Sequence, residues 1–113
     1  MTTVKIETAG RRICGFAVSG HSGYAEAGSD IVCAGVSSAV ALVECAVNDI
    51  LSLNAKVRIE EKSGTVSLSL PEKLSERQEA TCQTLMAAFM LHMTSLGEEY
   101  PENILVLEEN RHD

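Results

Sequence analysis

Apolar and polar residues alternate along Thr3–Thr8 (Thr-Val-Lys-Ile-Glu-Thr), the period of a strand with one buried face. Ala9-Gly10-Arg11-Arg12 reads as a turn and Ile13–Ser19 as a second strand, so the two form a hairpin. A glycine-bearing loop follows over residues 19–30. Asp30 then offers an N-cap carboxylate, and the apolar run from Ile31 to about Leu53 predicts a helix. Its apolar residues cover nearly the whole circumference, which calls for burial on more than one side. One side suits a sheet, and another suits a second helix or a second subunit. Lys56–Glu61 and Thr65–Leu70 alternate again around Lys62-Ser63-Gly64, a second hairpin that Pro71 ends. Ser75 and Gln78 have the spacing of a capping box. Cys82, Leu85, Met86, Phe89, Met90, Met93 and Leu96 recur at three and four, an amphipathic helix that Gly97 is placed to stop. Pro101 breaks the chain, Ile104–Leu107 reads as a short last strand, and Glu108–Asp113 as a polar tail.

The order β-β-α-β-β-α-β predicts an α+β fold, a mostly antiparallel sheet of about five strands with two helices packed on one face. A chain of 113 residues makes one domain. It buries roughly two-thirds of the surface that it exposes when unfolded. With no tryptophan and 4% aromatic residues, its core must be built from aliphatic residues, alanine and methionine. The net charge of −7 argues against direct binding of nucleic acid, which needs clustered Lys and Arg. The same charge suits a basic partner, or simply keeps the chain in solution. Met1-Thr-Thr-Val-Lys-Ile-Glu lacks the pattern of a signal peptide. Ser37, Ser38 and Glu44 interrupt the run Ile31–Val47 and argue against a membrane span. These features predict a cytoplasmic protein whose Cys14, Cys33, Cys45 and Cys82 are reduced.

Chemistry concentrates in Ser19–Cys33, where His21 and Cys33 flank the loop. Cys33 falls at about the third position of the predicted helix, where free amides and the helix dipole favour a thiolate and suit a developing oxyanion. A loop that folds back brings His21 to the thiol as general base, a nucleophile–base pair. The plainer alternatives are a small buried cysteine and an ordinary loop histidine. Asp30 either caps the helix or orients His21. Ser37, one turn after Cys33, either bonds the thiolate or its own backbone carbonyl. Gly20, Gly23 and Gly28 permit a moving lid or simply make turns. Cys14, Cys45 and Cys82 read as core, His92 as a partly exposed surface residue, and His112 as part of the tail. No cysteine pair has metal or redox spacing, and no cofactor or metal is expected.

Gly20-His21 followed by Asp30-Ile-Val-Cys33-Ala-Gly-Val-Ser37 resembles the bacterial ribosomal-processing cysteine protease family. Chain length and element order fit the resemblance as well. It implies a single cysteine protease domain over residues 1–113. It implies a cytosolic homodimer that removes the N-terminal extension of a large-subunit ribosomal protein, number twenty-seven of that series, after a bulky aromatic residue. Carried over, His21 is the general base and Cys33 the nucleophile. Asp30 and Ser37 occupy further motif positions, and the loop with Gly20, Ser22, Gly23 and Gly28 orders over the substrate. The rival reading is a non-catalytic module that binds a basic ribosomal protein or an assembly factor. Thiol redox chemistry lacks a resolving cysteine nearby in sequence.

Overall fold

The computed structural model describes residues 1–20 and 27–111, with the backbone alone for 27–30. Five strands form one sheet: β1 (Thr2–Ala9), β2 (Arg12–Ser19), β3 (Lys56–Glu60), β4 (Thr65–Ser69) and β5 (Ile104–Asn110). Their order is β3-β4-β2-β1-β5. Every pairing is antiparallel except that of β1 with β5, so the sheet is mixed but mostly antiparallel. Helix α1 (Ala27–Glu44) continues into a π-helical turn, Cys45–Ile50, and α2 (Glu76–Glu99) lies between β4 and β5.

The period-two pattern of β1 turns Thr2, Val4, Ile6 and Thr8 to the covered face. Register carries that face across the sheet, with Ile6 opposite Phe16 and Phe16 opposite Leu68. The reverse face carries Lys5, Ala17, Ser67 and Arg58 in one row. Val32, Val36, Val43 and Val47 of the first helical segment are buried, as are Cys82, Met86, Phe89 and Met93 of α2. They join Val4, Ile6, Phe16 and Leu68 in one core. Phe16 stacks on Phe89 with ring centroids 4.2 Å apart. Both helices thus serve the same face of the sheet.

One end of the sheet is locked to α2. The β1–β2 register slips after Glu7, so Glu7 faces Gly15 and Thr8 faces Ile13. Such a bulge leaves backbone groups without a ladder partner. Gln83 meets both from α2: its Nε2 donates to the Ile13 carbonyl at 2.9 Å, and its Oε1 accepts the Ile13 amide at 2.8 Å. Beside it, Arg12 donates to both Glu79 oxygens, at 3.0 and 2.8 Å, and to the Pro71 carbonyl at 2.7 Å. Burial alone lowers the Arg12 pKa, but the hydrogen bond and charge of Glu79, with a smaller contribution from Cys14, outweigh it, and the net shift is upward. Gly15 is required here, since a Cβ would collide with the Leu68 carbonyl.

The structure revises several boundaries. Helix α1 starts at Ala27, so Gly28 and Asp30 lie inside its first turn and Asp30 is not the N-cap. Ala27 favours helix, and an aspartate suits the first turn as well as the cap, because the terminal amides and dipole attract it in both places. The α-helix ends at Glu44, where the π turn begins. There the Leu51 amide bonds the Ala46 carbonyl at 3.0 Å, and Ser52 and Asn54 take φ of 54° and 55°. Asn48 fixes this exit by bonding both the amide and the carbonyl of Ala55, at 2.7 and 3.2 Å. Cys45 is exposed rather than core, because the buried valine stripe passes it by. Helix α2 has the expected Ser75–Gln78 capping box but runs through Gly97 and ends at Glu99 before Pro101. Gly97 lies instead against Ile104 and Val106 of β5. The expected polar tail is partly strand, because Glu108, Glu109 and Asn110 pair with Ile6, Glu7 and Thr8 of β1. His21, Ser22, Gly23 and His112 lie outside the described residues.

Gln83→Leu keeps the bulk of the side chain and removes both bonds to Ile13. Two partly buried backbone groups left without partners cost about 2–4 kcal/mol of unfolding free energy in total. Urea denaturation checks this, and a loss below about 0.5 kcal/mol would show that water replaces Gln83 at the bulge.

Candidate active site

Cys33 occupies the seventh position of α1, in its second turn, not the third position expected. The free amides belong to residues 27–30, a turn earlier, and the terminal field weakens within that turn. The surroundings of the thiol therefore come mainly from the sheet. Val32 is 1% exposed and anchors the helix. The next residue is rotated by about 100°, which leaves Cys33 half-buried at the edge of the covered face.

There its Sγ lies 3.7 Å from the hydroxyl of Thr2 at the start of β1. Thr2 is 5% exposed, and its amide donates to the Asn103 carbonyl at 2.8 Å. Its hydroxyl donates to the Gly20 carbonyl at 3.3 Å. Gly20 directly follows β2 with φ +86°, and a Cβ there would collide with the Met1 carbonyl, so this close approach requires glycine. A hydroxyl has one proton and two lone pairs. While that proton serves Gly20, the oxygen can accept from a Cys33 thiol; turned round, the same proton can stabilise a thiolate.

A groove of about 190 Å³ opens at the thiol. It follows α1 past Ser37 and Val40 to Glu44, and Val18, Gly20, Gly64 and Val66 from the ends of β2 and β4 form its other wall. Cys33, Ser37, Val40 and Glu44 are spaced four, three and four apart, one stripe of the helix. Among the described residues, Cys33 is the one thiol in this groove. Cys14 and Cys82 are buried. Burial pushes the Cys82 thiol pKa up, with Glu79 adding to the shift. Among the described residues no three His, Cys, Asp or Glu side chains converge on a metal-sized site.

Of the residues singled out in the sequence, Cys33, Ser37 and Gly20 meet at this groove. Gly28 and Asp30 are placed as backbone in the first turn of α1, and His21, Ser22 and Gly23 lie outside the described residues. Thr2, Val40 and Glu44 were not legible as site residues. The signal for the last two was present, since both continue the helical stripe that begins at Cys33. Thr2 carries no local signal, because its place is set by long-range strand pairing.

Residues 1–105 match the family described as cysteine protease Prp. The chain is 29% identical to the ribosomal processing cysteine protease Prp of Bacillus subtilis (strain 168) over 94 residues, 83% of this chain and 84% of that protein. The fold is shared with SMU.848 from Streptococcus mutans, with a TM-score of 0.85, 24% identity, and coverage of 98% of this chain and 96% of that one. It is shared also with an essential ribosomal processing protease Prp from S. aureus in complex with a substrate peptide. There the TM-score is 0.82 with 22% identity, covering 96% of this chain and 100% of that one. The chain belongs to the cysteine protease Prp family, the ribosomal processing cysteine proteases, and is a cysteine protease.

Proposed function

We infer that this protease removes the N-terminal extension of large-subunit ribosomal protein number twenty-seven, with Cys33 as nucleophile and His21 as general base. The observation that carries the reading is a half-buried thiol, in contact with a hydroxyl, at the mouth of an apolar groove. The groove suits a peptide, and the S. aureus relative is a structure with a substrate peptide bound. His21 follows directly on Gly20, whose carbonyl is tied to the same Thr2 hydroxyl that touches the thiol.

His21 takes the Cys33 proton, and the thiolate attacks the scissile carbonyl carbon. The tetrahedral intermediate collapses as His21 returns the proton to the departing amine, breaking the C–N bond and leaving a thioester. Water, deprotonated by His21, attacks the thioester and regenerates the thiol with release of the new carboxylate. Thr2 stabilises the thiolate by donating its hydroxyl proton. Asp30, in the helical turn before Cys33, orients His21 as it enters, and Ser37 contacts the peptide one turn along the groove. The loop with Gly20, Ser22, Gly23 and Gly28 contributes to substrate enclosure.

The protein acts in the cytoplasm as a single domain and as a homodimer, without direct nucleic-acid contact. Segment Ile31–Ile50 is long and apolar enough to cross a membrane by composition, yet Val32, Val36, Val43 and Val47 within it are core residues. Ile31, Leu42 and Ile50 are 60%, 71% and 74% exposed, which leaves an apolar helical surface suited to a second subunit. The net charge of −7 favours approach of a basic ribosomal protein.

Cys33→Ala and His21→Ala each abolish cleavage of the extended ribosomal protein, read by mass spectrometry of the product, while the far-ultraviolet circular dichroism is retained. Cleavage by Cys33→Ala at the wild-type rate would remove Cys33 as the nucleophile. Thr2→Val lowers kcat/KM about tenfold, the order expected for one hydrogen bond to a charged group, and Thr2→Ser restores it. Equal rates for all three would remove Thr2 from the mechanism. Leu42→Asp converts the dimer to monomer in sedimentation velocity, and an unchanged dimer would place the contact elsewhere.

A further inference from the structure

The groove that begins at the thiol reaches a carboxylate. Glu44 is the one charged side chain among its described lining residues. It is half-buried, and no ion pair with lysine or arginine involves it among the described residues. The carboxylate shares the groove with the apolar side chains of Val40, Ala41 and Val66. The single carboxylate is not a metal site, because no cluster of ligating side chains surrounds it among the described residues.

Its distance from the chemistry is set by the helix. Glu44 lies eleven residues beyond Cys33 on the same stripe, about 16 Å along the axis. An extended peptide covers that span in roughly five residues at about 3.3 Å each. The wall between them is apolar, with Val36 and Val40 on one side and Val66 on the other. A lysine or arginine on such a peptide can lay its aliphatic stem along that wall and carry its charge to Glu44.

We propose that Glu44 is a specificity-determining residue, pairing with a lysine or arginine of the substrate about five residues from the scissile bond. The proposal rests on the reading of Cys33 as nucleophile. General acidity of the chain attracts basic peptides without regard to position, whereas Glu44 selects the position of one charge.

The test uses labelled peptides with an aromatic residue at the cleavage position and no charged side chain, into which a single lysine is walked along either side of the scissile bond. Wild-type enzyme prefers the peptide with lysine about five residues away by about fivefold in kcat/KM, the upper range for a partly exposed ion pair. Glu44→Gln brings that ratio to one. Glu44→Lys reverses it, favouring a glutamate at the same peptide position. The preference shrinks as salt rises towards 1 M. Binding is read independently by fluorescence anisotropy in a Cys33→Ala background, where Glu44→Gln weakens the lysine peptide about fivefold relative to the uncharged one. A lysine ratio that is the same with glutamate and glutamine at position 44, in either readout, overturns the proposal. Cleavage by Cys33→Ala overturns the nucleophile assignment instead, and the anisotropy ratio still decides the role of Glu44.

Discussion

The rotation of α1 about its own axis is the constraint on which the site depends. That rotation is fixed by Val32, Val36 and Val43, together with Val47 of the π turn that continues the helix, all buried against the single covered face of the sheet. With these four residues inward, the stripe Cys33-Ser37-Val40-Glu44 faces the ends of β2 and β4. A turn of the helix by one residue, about 100°, would expose the valines and move the thiol away from Thr2. Losing a buried valine from water-free packing costs on the order of 1.5–3 kcal/mol, so four of them hold this angle firmly. The placement of the Cys33 thiol is thus a by-product of core packing, and no dedicated tether from α1 is needed.

The two ends of the sheet have different tasks. At the bulge end, Gln83 and Arg12 tie β2 to α2 and to the Pro71 carbonyl, so strand and helix cannot slide. At the other end, Thr2, Gly20 and Gly64 line an open groove. There the Thr2 hydroxyl has two neighbours, the Gly20 carbonyl at 3.3 Å and the thiol at 3.7 Å. Satisfied polar contacts specify register at the locked end, while at the groove one hydroxyl has two partners to choose between. Binding sites are commonly drawn from the less constrained parts of a fold.

Much of this fold was legible because its strands obey period two and α2 carries a complete capping box. The fold class and the core stripe Cys82-Met86-Phe89-Met93 followed from those local patterns. What was not legible has common causes. The start of α1 was misplaced because an aspartate suits both a cap and a first turn. Gly97 suggested a stop, yet a glycine can also serve close helix–strand contact. The strand character of Glu108–Asn110 comes from parallel pairing with β1, about a hundred residues away in sequence, and no local pattern encodes it. Thr2 escaped notice for the same reason. The pairing of His21 with Cys33 was read from a motif, and His21 lies outside the described residues.

The four cysteines show how far position outweighs residue type. Cys82 is buried against the core, where desolvation disfavours its thiolate. Cys14 sits at the bulge and is buried too. Cys45 is exposed, but twelve residues of helix rotate it roughly 120° from the Cys33 stripe, so it is not among the described residues that line the Cys33 groove. Nucleophilic catalysis needs access, a partner that stabilises the anion, and a surface that holds the peptide in line. Burial denies Cys14 and Cys82 the first, and rotation keeps Cys45 out of the Cys33 groove. The nucleophile proposed here, Cys33, occupies a half-buried helical position that adjoins both a strand-end hydroxyl and an apolar groove.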